Sequence, residues 1–211
     1  MKQILCFGDS NTYGLIPGTK DRYDWNVRWS GILGERMYAH GYRIAEEGLC
    51  GRTTVFDDLY RDGRNASLML PTILETHNPI DRVILMLGTN DCKSAYKATA
   101  EDIGAGIEVL IEQIRDKARA ASILLISPIY LGEKVWQGYD EEFNRESVEV
   151  SKRLGDVYEQ IALKYNISFM RASDYAACSH EDEEHLDAEG HARLTEAIYN
   201  KILRDIILEA A

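Results

Sequence analysis

The sequence predicts an α/β fold, a three-layer α/β/α sandwich around a five-stranded parallel sheet, and three observations lead there. Apolar or β-branched runs recur at 3–8, 42–46, 81–87, 122–127 and 167–170, each of strand length. The segments between them are long, and several carry apolar residues at helical spacing. Strands that alternate with helices imply right-handed crossovers and a sheet covered on both faces.

Taken in order, the first run, Ile4-Leu5-Cys6-Phe7, stops abruptly at Gly8-Asp9-Ser10, where a buried strand opens onto small polar residues. A helix is expected near 26–40, with Trp29, Ile32, Leu33 and Arg36 on one face. The second strand leads into Glu47-Gly48-Leu49-Cys50-Gly51-Arg52, and the third into Gly88-Thr89-Asn90-Asp91. The next helix places Ile103, Ile107, Leu110, Ile111 and Ile114 on one stripe, a core-facing pattern. The fourth strand precedes a segment, 142–165, of helical composition. After the fifth strand, Leu194, Ile198, Ile202 and Ile206 mark a last helix.

A chain of 211 residues fits one domain with a single core, spanning 1–211. It shows no linker, internal repeat or low-complexity tract. The formal net charge is -11 and no basic run could track a phosphate backbone, which argues against nucleic acid as a partner. The run from Ile4 to Phe7 is too short for the apolar core of a signal peptide, and no stretch approaches transmembrane length. A cytoplasmic protein with no membrane insertion is expected. Cys6, Cys50, Cys92 and Cys178 are widely spaced without a CxxC pair, so buried reduced thiols are expected rather than disulfides or a zinc site.

In a parallel sheet, ligands bind beyond the carboxyl ends of the strands, which directs attention to three strand ends. A serine hydroxyl is a poor nucleophile until a base takes its proton, so a serine enzyme needs a histidine, a carboxylate to orient it and donors for the oxyanion. Ser10 lies at the first strand end, Gly51 could offer an N–H with no side chain in the way, and Asn90 carries an amide donor. The segment 181–191 supplies the base candidates, and there Asp182 and His185 are three residues apart, a separation one turn can close.

Four blocks in order, GDS, a glycine after the second strand, GTND and DxxH, resemble those of the SGNH or GDSL hydrolases across nearly the whole chain. The wording ILCFGDS, VRWSGIL, EEGLCGRTT and MLGTNDCK is similar to the arylesterase and acyltransferase subgroup. The resemblance implies a flavodoxin-like sandwich in which Ser10 is the nucleophile, His185 the general base and Asp182 its orienting carboxylate. The Ser10 N–H, the Gly51 N–H and the Asn90 side chain would form the oxyanion hole. It implies no metal and no organic cofactor. It extends to oligomeric members, so a homo-oligomer whose neighbouring subunit closes the pocket, favouring acyl transfer, is also implied.

The chain departs from that family pattern in two places. Asn11 stands where leucine is usual, with little expected effect on the chemistry. Glu181, Glu183 and Glu184 surround Asp182, which leaves open whether Asp182 or a neighbouring glutamate holds His185. This acidic cluster predicts an acidic limb of kcat/KM above the unperturbed histidine value of about 6.5.

Other candidates are expected to be structural: Asp9 as a pin for the turn after the first strand, Asp91 as a helix cap, His191 as a packing residue. His185 and His191 do not have metal-site spacing. Tyr13, Trp25, Trp29, Lys93 and Tyr96 would fall near the mouth, with Tyr13 and Lys93 preferred as substrate-pocket residues. The expected function is a serine esterase that hydrolyses, and can transfer, small to medium acyl groups of carboxylic esters, with a small-molecule ester as substrate. The rivals are a carbohydrate O-acetyl esterase using the same site and a non-catalytic flavodoxin-like binding module.

Overall fold

The computed structural model describes residues 1–209. Five strands, β1 (Lys2–Gly8), β2 (Tyr42–Gly48), β3 (Arg82–Met86), β4 (Ser122–Ser127) and β5 (Ser168–Arg171), pair in the order β2-β1-β3-β4-β5, all parallel. The helices are α1 (Ser10–Tyr13), α2 (Trp29–Tyr38), α3 (Ala66–His77), α4 (Ala100–Lys117), α5 (Arg145–Tyr165) and α6 (Ala188–Glu209).

Alternation along the strands divides the core in two. Leu5, Phe7, Val83, Leu85, Ile123 and Leu125 face one side, where α3, α4 and α5 cover them with residues such as Leu74, Ile107 and Leu154. Ile4, Cys6, Ile84, Met86, Leu124 and Ile126 face the other side and pack on Trp29, Leu33 and Met37 of α2 and Leu194, Ile198 and Ile202 of α6. The three-layer expectation therefore holds, and the stripes on α4 and α6 are core.

The differences from the sequence reading are local. The helix expected near 26–40 is limited to Trp29–Tyr38, and of its proposed face Ile32 is half-buried and Arg36 exposed. β2 runs on through Glu47 and Gly48. Helix α3 is additional to the sequence reading; Pro71 lies inside it, and an internal proline removes one backbone donor. The carbonyl that loses this bond, on Ser67, instead accepts from Gln113 Nε2 of α4 at 2.8 Å, so a tertiary contact repairs what local propensity would forbid. Among the described residues no helix is long and apolar enough to cross a membrane.

Candidate active site

Strands β2, β1 and β3 are neighbours, and Gly8 is in register with Gly48 on one side and Met86 on the other. The segments that leave their carboxyl ends carry Ser10, Gly51 and Asn90. Helix α1 sits directly on these ends: a Cβ at Gly48 would fall 2.2 Å from the backbone nitrogen of Tyr13, so only glycine admits the helix there. Asp9 caps α1 by accepting from the Asn11 N–H at 3.0 Å, bearing out its role as a pin for the turn. Ser10 is thus the first helical residue, where backbone N–H groups have no partner within the helix.

The loop between β5 and α6 brings His185 to Ser10. His185 Nε2 is 2.8 Å from Ser10 Oγ, and His185 Nδ1 is 2.8 Å from Asp182 Oδ2. Asp182 also accepts from the backbone N–H of His185 at 2.9 Å, of Glu184 at 3.0 Å and of Gly18 at 3.0 Å. Burial would raise the Asp182 pKa, but the His185 hydrogen bond and charge and the backbone donors outweigh it and bring it to about 2. The carboxylate is therefore ionised and fixed in direction, and it is the aspartate, not a glutamate, that sits on Nδ1.

The two glutamates between Asp182 and His185 diverge. Glu183 adopts a positive φ of 60°, and its carbonyl accepts from the Gly132 N–H at 2.7 Å, so it turns towards the loop after β4. Glu184 turns inward, with Oε1 3.6 Å from His185 Nε2. Burial raises the Glu184 carboxyl to about 7, against the pull of the His185 charge. Burial would lower the His185 pKa, yet the charge of Glu184, then the hydrogen bond and charge of Asp182, then Asp9 carry it up to about 9.

The oxyanion candidates occupy rigid turns. Gly51 has φ of +83°, a left-handed conformation natural to glycine. Its neighbour Arg52 is buried, donates from Nη1 to the carbonyl of Gly8 at 2.8 Å and to that of Glu47, and lies over the Phe7 ring at 4.2 Å. Asp91 Oδ1 accepts from the N–H of Thr54 at 2.9 Å and its hydroxyl at 2.5 Å. Asp91 therefore ties the Gly51 loop to the Asn90 loop instead of capping the next helix, whose cap is Thr99. Asn90 Nδ2 is a buried donor with no hydrogen-bond partner among the described residues, an arrangement that costs free energy unless a ligand oxygen fills it.

Sequence reasoning missed Arg61 and Glu142, which form an ion-pair cluster with Lys93. The Arg61 guanidinium lies against Gly51, 2.8 Å from where a Cβ would stand, held by Asp58 at 2.6 Å. Glu142 bridges Arg61 at 3.7 Å and Lys93 at 2.5 Å. Lys93 is buried, and its charge acts on Glu184. The half-buried Tyr13 ring lies under the Arg22 guanidinium at 4.4 Å. Trp29 is core, with Nε1 donating to the Asn11 carbonyl at 3.0 Å, and the Tyr96 ring stacks on Phe56. Arg61 and Glu142 lie in loops far apart in sequence, so no motif could have flagged them.

His191 is fully buried in the first turn of α6 and accepts from the Trp29 N–H through Nδ1 at 3.2 Å. Burial lowers its pKa to about 4, so it is a neutral packing residue. Asn11 makes a contact that the sequence does not reveal. Its side chain is buried, and Oδ1 accepts from the Leu186 N–H at 2.9 Å. Among the described residues no three His, Cys, Asp or Glu side chains are grouped to hold a metal ion.

A buried serine and histidine and a half-buried aspartate in one hydrogen-bonded chain at the carboxyl edge of a parallel α/β sheet have the geometry of a serine-hydrolase site. Residues 6–200 match the sequence model of the GDSL-like lipase/acylhydrolase family, and the chain belongs to that family of ester hydrolases. Among solved structures, it is similar to the aryl esterase of M. smegmatis, with 31% identity, a TM-score of 0.90 and coverage of 97% of this chain and 99% of that one. It is also similar to Est24, a carbohydrate acetylesterase from Sinorhizobium meliloti, with 35% identity, a TM-score of 0.89 and coverage of 97% and 99%. No curated protein matches the chain.

Proposed function

We propose that this protein is a serine esterase that cleaves esters of small to medium acyl groups in the cytoplasm through an acyl-enzyme on Ser10. The observation that carries the proposal is the pair of 2.8 Å contacts joining Ser10 Oγ, His185 and Asp182. His185 Nε2 takes the Ser10 proton as Oγ attacks the ester carbonyl, and Asp182 stabilises the imidazolium. The oxyanion is met by the Ser10 and Gly51 N–H groups and by Asn90 Nδ2, whose unpartnered donor supports that role. His185 then protonates the leaving alcohol, and water resolves the acyl-enzyme by the same base.

Two alcohol classes fit, following the similarity to an aryl esterase and to a carbohydrate acetylesterase. The charged cluster of Arg61, Lys93 and Glu142, with Arg61 against Gly51, favours the second, an acetylated sugar, because charged groups next to the site can hydrogen-bond its hydroxyls. A second alcohol could replace water where a neighbouring subunit of a homo-oligomer closes the entrance.

The test compares wild type, Ser10→Ala and His185→Ala on p-nitrophenyl acetate, butyrate and octanoate and on a peracetylated sugar. Both variants should lose activity by orders of magnitude. A wild type inert towards every ester and towards a fluorophosphonate would leave a non-catalytic binding module as the better account.

A further inference from the structure

We infer that Asn11 is a positioning residue for the base: by holding the residues on both sides of His185, it sets the imidazole over Ser10 Oγ. The inference rests on the proposed roles of Ser10 and His185. Asn11 follows the nucleophile directly, and its side chain crosses to the loop 174 residues further on in the sequence. Oδ1 accepts from the Leu186 N–H at 2.9 Å, and Nδ2 points to the Glu184 carbonyl at 3.5 Å, so residues 184 and 186 are both engaged while 185 projects between them. The Leu186 N–H can only donate, which fixes which end of the amide faces it.

The clasp is itself held. The Asn11 carbonyl accepts from Trp29 Nε1 at 3.0 Å, and its N–H donates to Asp9 Oδ1 at 3.0 Å. The other ties on His185 come from its own loop: Asp182 takes its N–H and Nδ1, and its carbonyl accepts from the Ser179 N–H at 2.7 Å. Those bonds shape the loop, whereas Asn11 registers the loop against the nucleophile. Leucine at this position would leave the buried Leu186 N–H unpaired and release the register. A displacement of about 1 Å takes a 2.8 Å contact out of hydrogen-bonding range and can cost ~100-fold in rate.

The experiment measures kcat, KM and Tm for wild type, Asn11→Leu, Asn11→Ala and Asn11→Asp with p-nitrophenyl acetate, with active sites titrated by a fluorophosphonate. The expected result for Asn11→Leu is a fall in kcat per titrated site of roughly 10- to 100-fold with KM little changed. Asn11→Asp keeps the acceptor for Leu186 and should recover part of that loss. Asn11→Ala takes the place of the leucine variant if the latter fails to fold. A variant that lowers Tm but keeps the wild-type kcat per site would make Asn11 merely structural and overturn the inference, as would an aspartate variant no better than leucine. A wild type that neither turns over nor labels overturns the triad and this inference together.

Discussion

Replacing Glu184 with glutamine should move the acidic limb of kcat/KM to lower pH. Glu184 Oε1 lies 3.6 Å from His185 Nε2, and both side chains are 9% exposed. A unit charge pair at that distance is worth ~1.2 kcal/mol with the full screening of water and ~4.6 kcal/mol with the screening typical near a protein surface. At about 1.4 kcal/mol per pKa unit, the water limit alone corresponds to ~0.8 pH unit. The upper bound is the whole rise of His185 from 6.5 to about 9, which Glu184 shares with Asp182 and Asp9. Glu184 itself ionises near 7, below His185, so it is an anion across the limb. Removing that anion disfavours the imidazolium, lowers the histidine pKa and keeps the free base present at lower pH. The assay is a pH profile of kcat/KM for p-nitrophenyl acetate, normalised to titrated sites. The wild-type limb should lie well above 6.5, and that of Glu184→Gln lower by ~0.8 to 2 units. A wild-type limb at or below 6.5, or a variant limb that stays or moves upward, would refute this electrostatic account.

Two further outcomes are expected. Asn90→Ala removes a proposed oxyanion donor and should reduce kcat ~100- to 1000-fold with little effect on Tm; a variant with wild-type kcat would exclude Asn90 from the oxyanion hole. His191→Ala should do the reverse, keeping kcat per titrated site while lowering Tm, because it empties a fully buried position and frees the Trp29 N–H; loss of turnover at unchanged Tm would mean that His191 takes part in the chemistry.

Much of the molecule is legible without coordinates, for identifiable reasons. A strand buried on both faces must be apolar along its length, so β1, β3 and β4 stand out as continuous runs. Helices α4 and α6 declare themselves through one-sided apolar stripes. Helix α3 does not, because Pro71 argues against it locally while Gln113, on another helix, takes the freed carbonyl. Ser10, Gly51, Asn90, Asp182 and His185 stand out as candidates because each lies at a strand end or in a single short turn, and the family resemblance implies a role for each.

The sequence by itself determined the order of strands and helices, the strand ends where chemistry can sit, and the aspartate and histidine three residues apart. These are local properties, carried by periodicity and by neighbours along the chain. Only the tertiary structure decided which acids face His185: Asp182 meets Nδ1, and although Glu183 and Glu184 are adjacent in sequence, the positive φ at Glu183 sends one towards Gly132 and the other to Nε2. It also decided that Asn11 reaches Leu186 and that Arg61, Glu142 and Lys93 meet in one ion-pair cluster. Such contacts join segments distant in the chain, and only the packing of helices on both faces of the sheet brings those segments within hydrogen-bonding range.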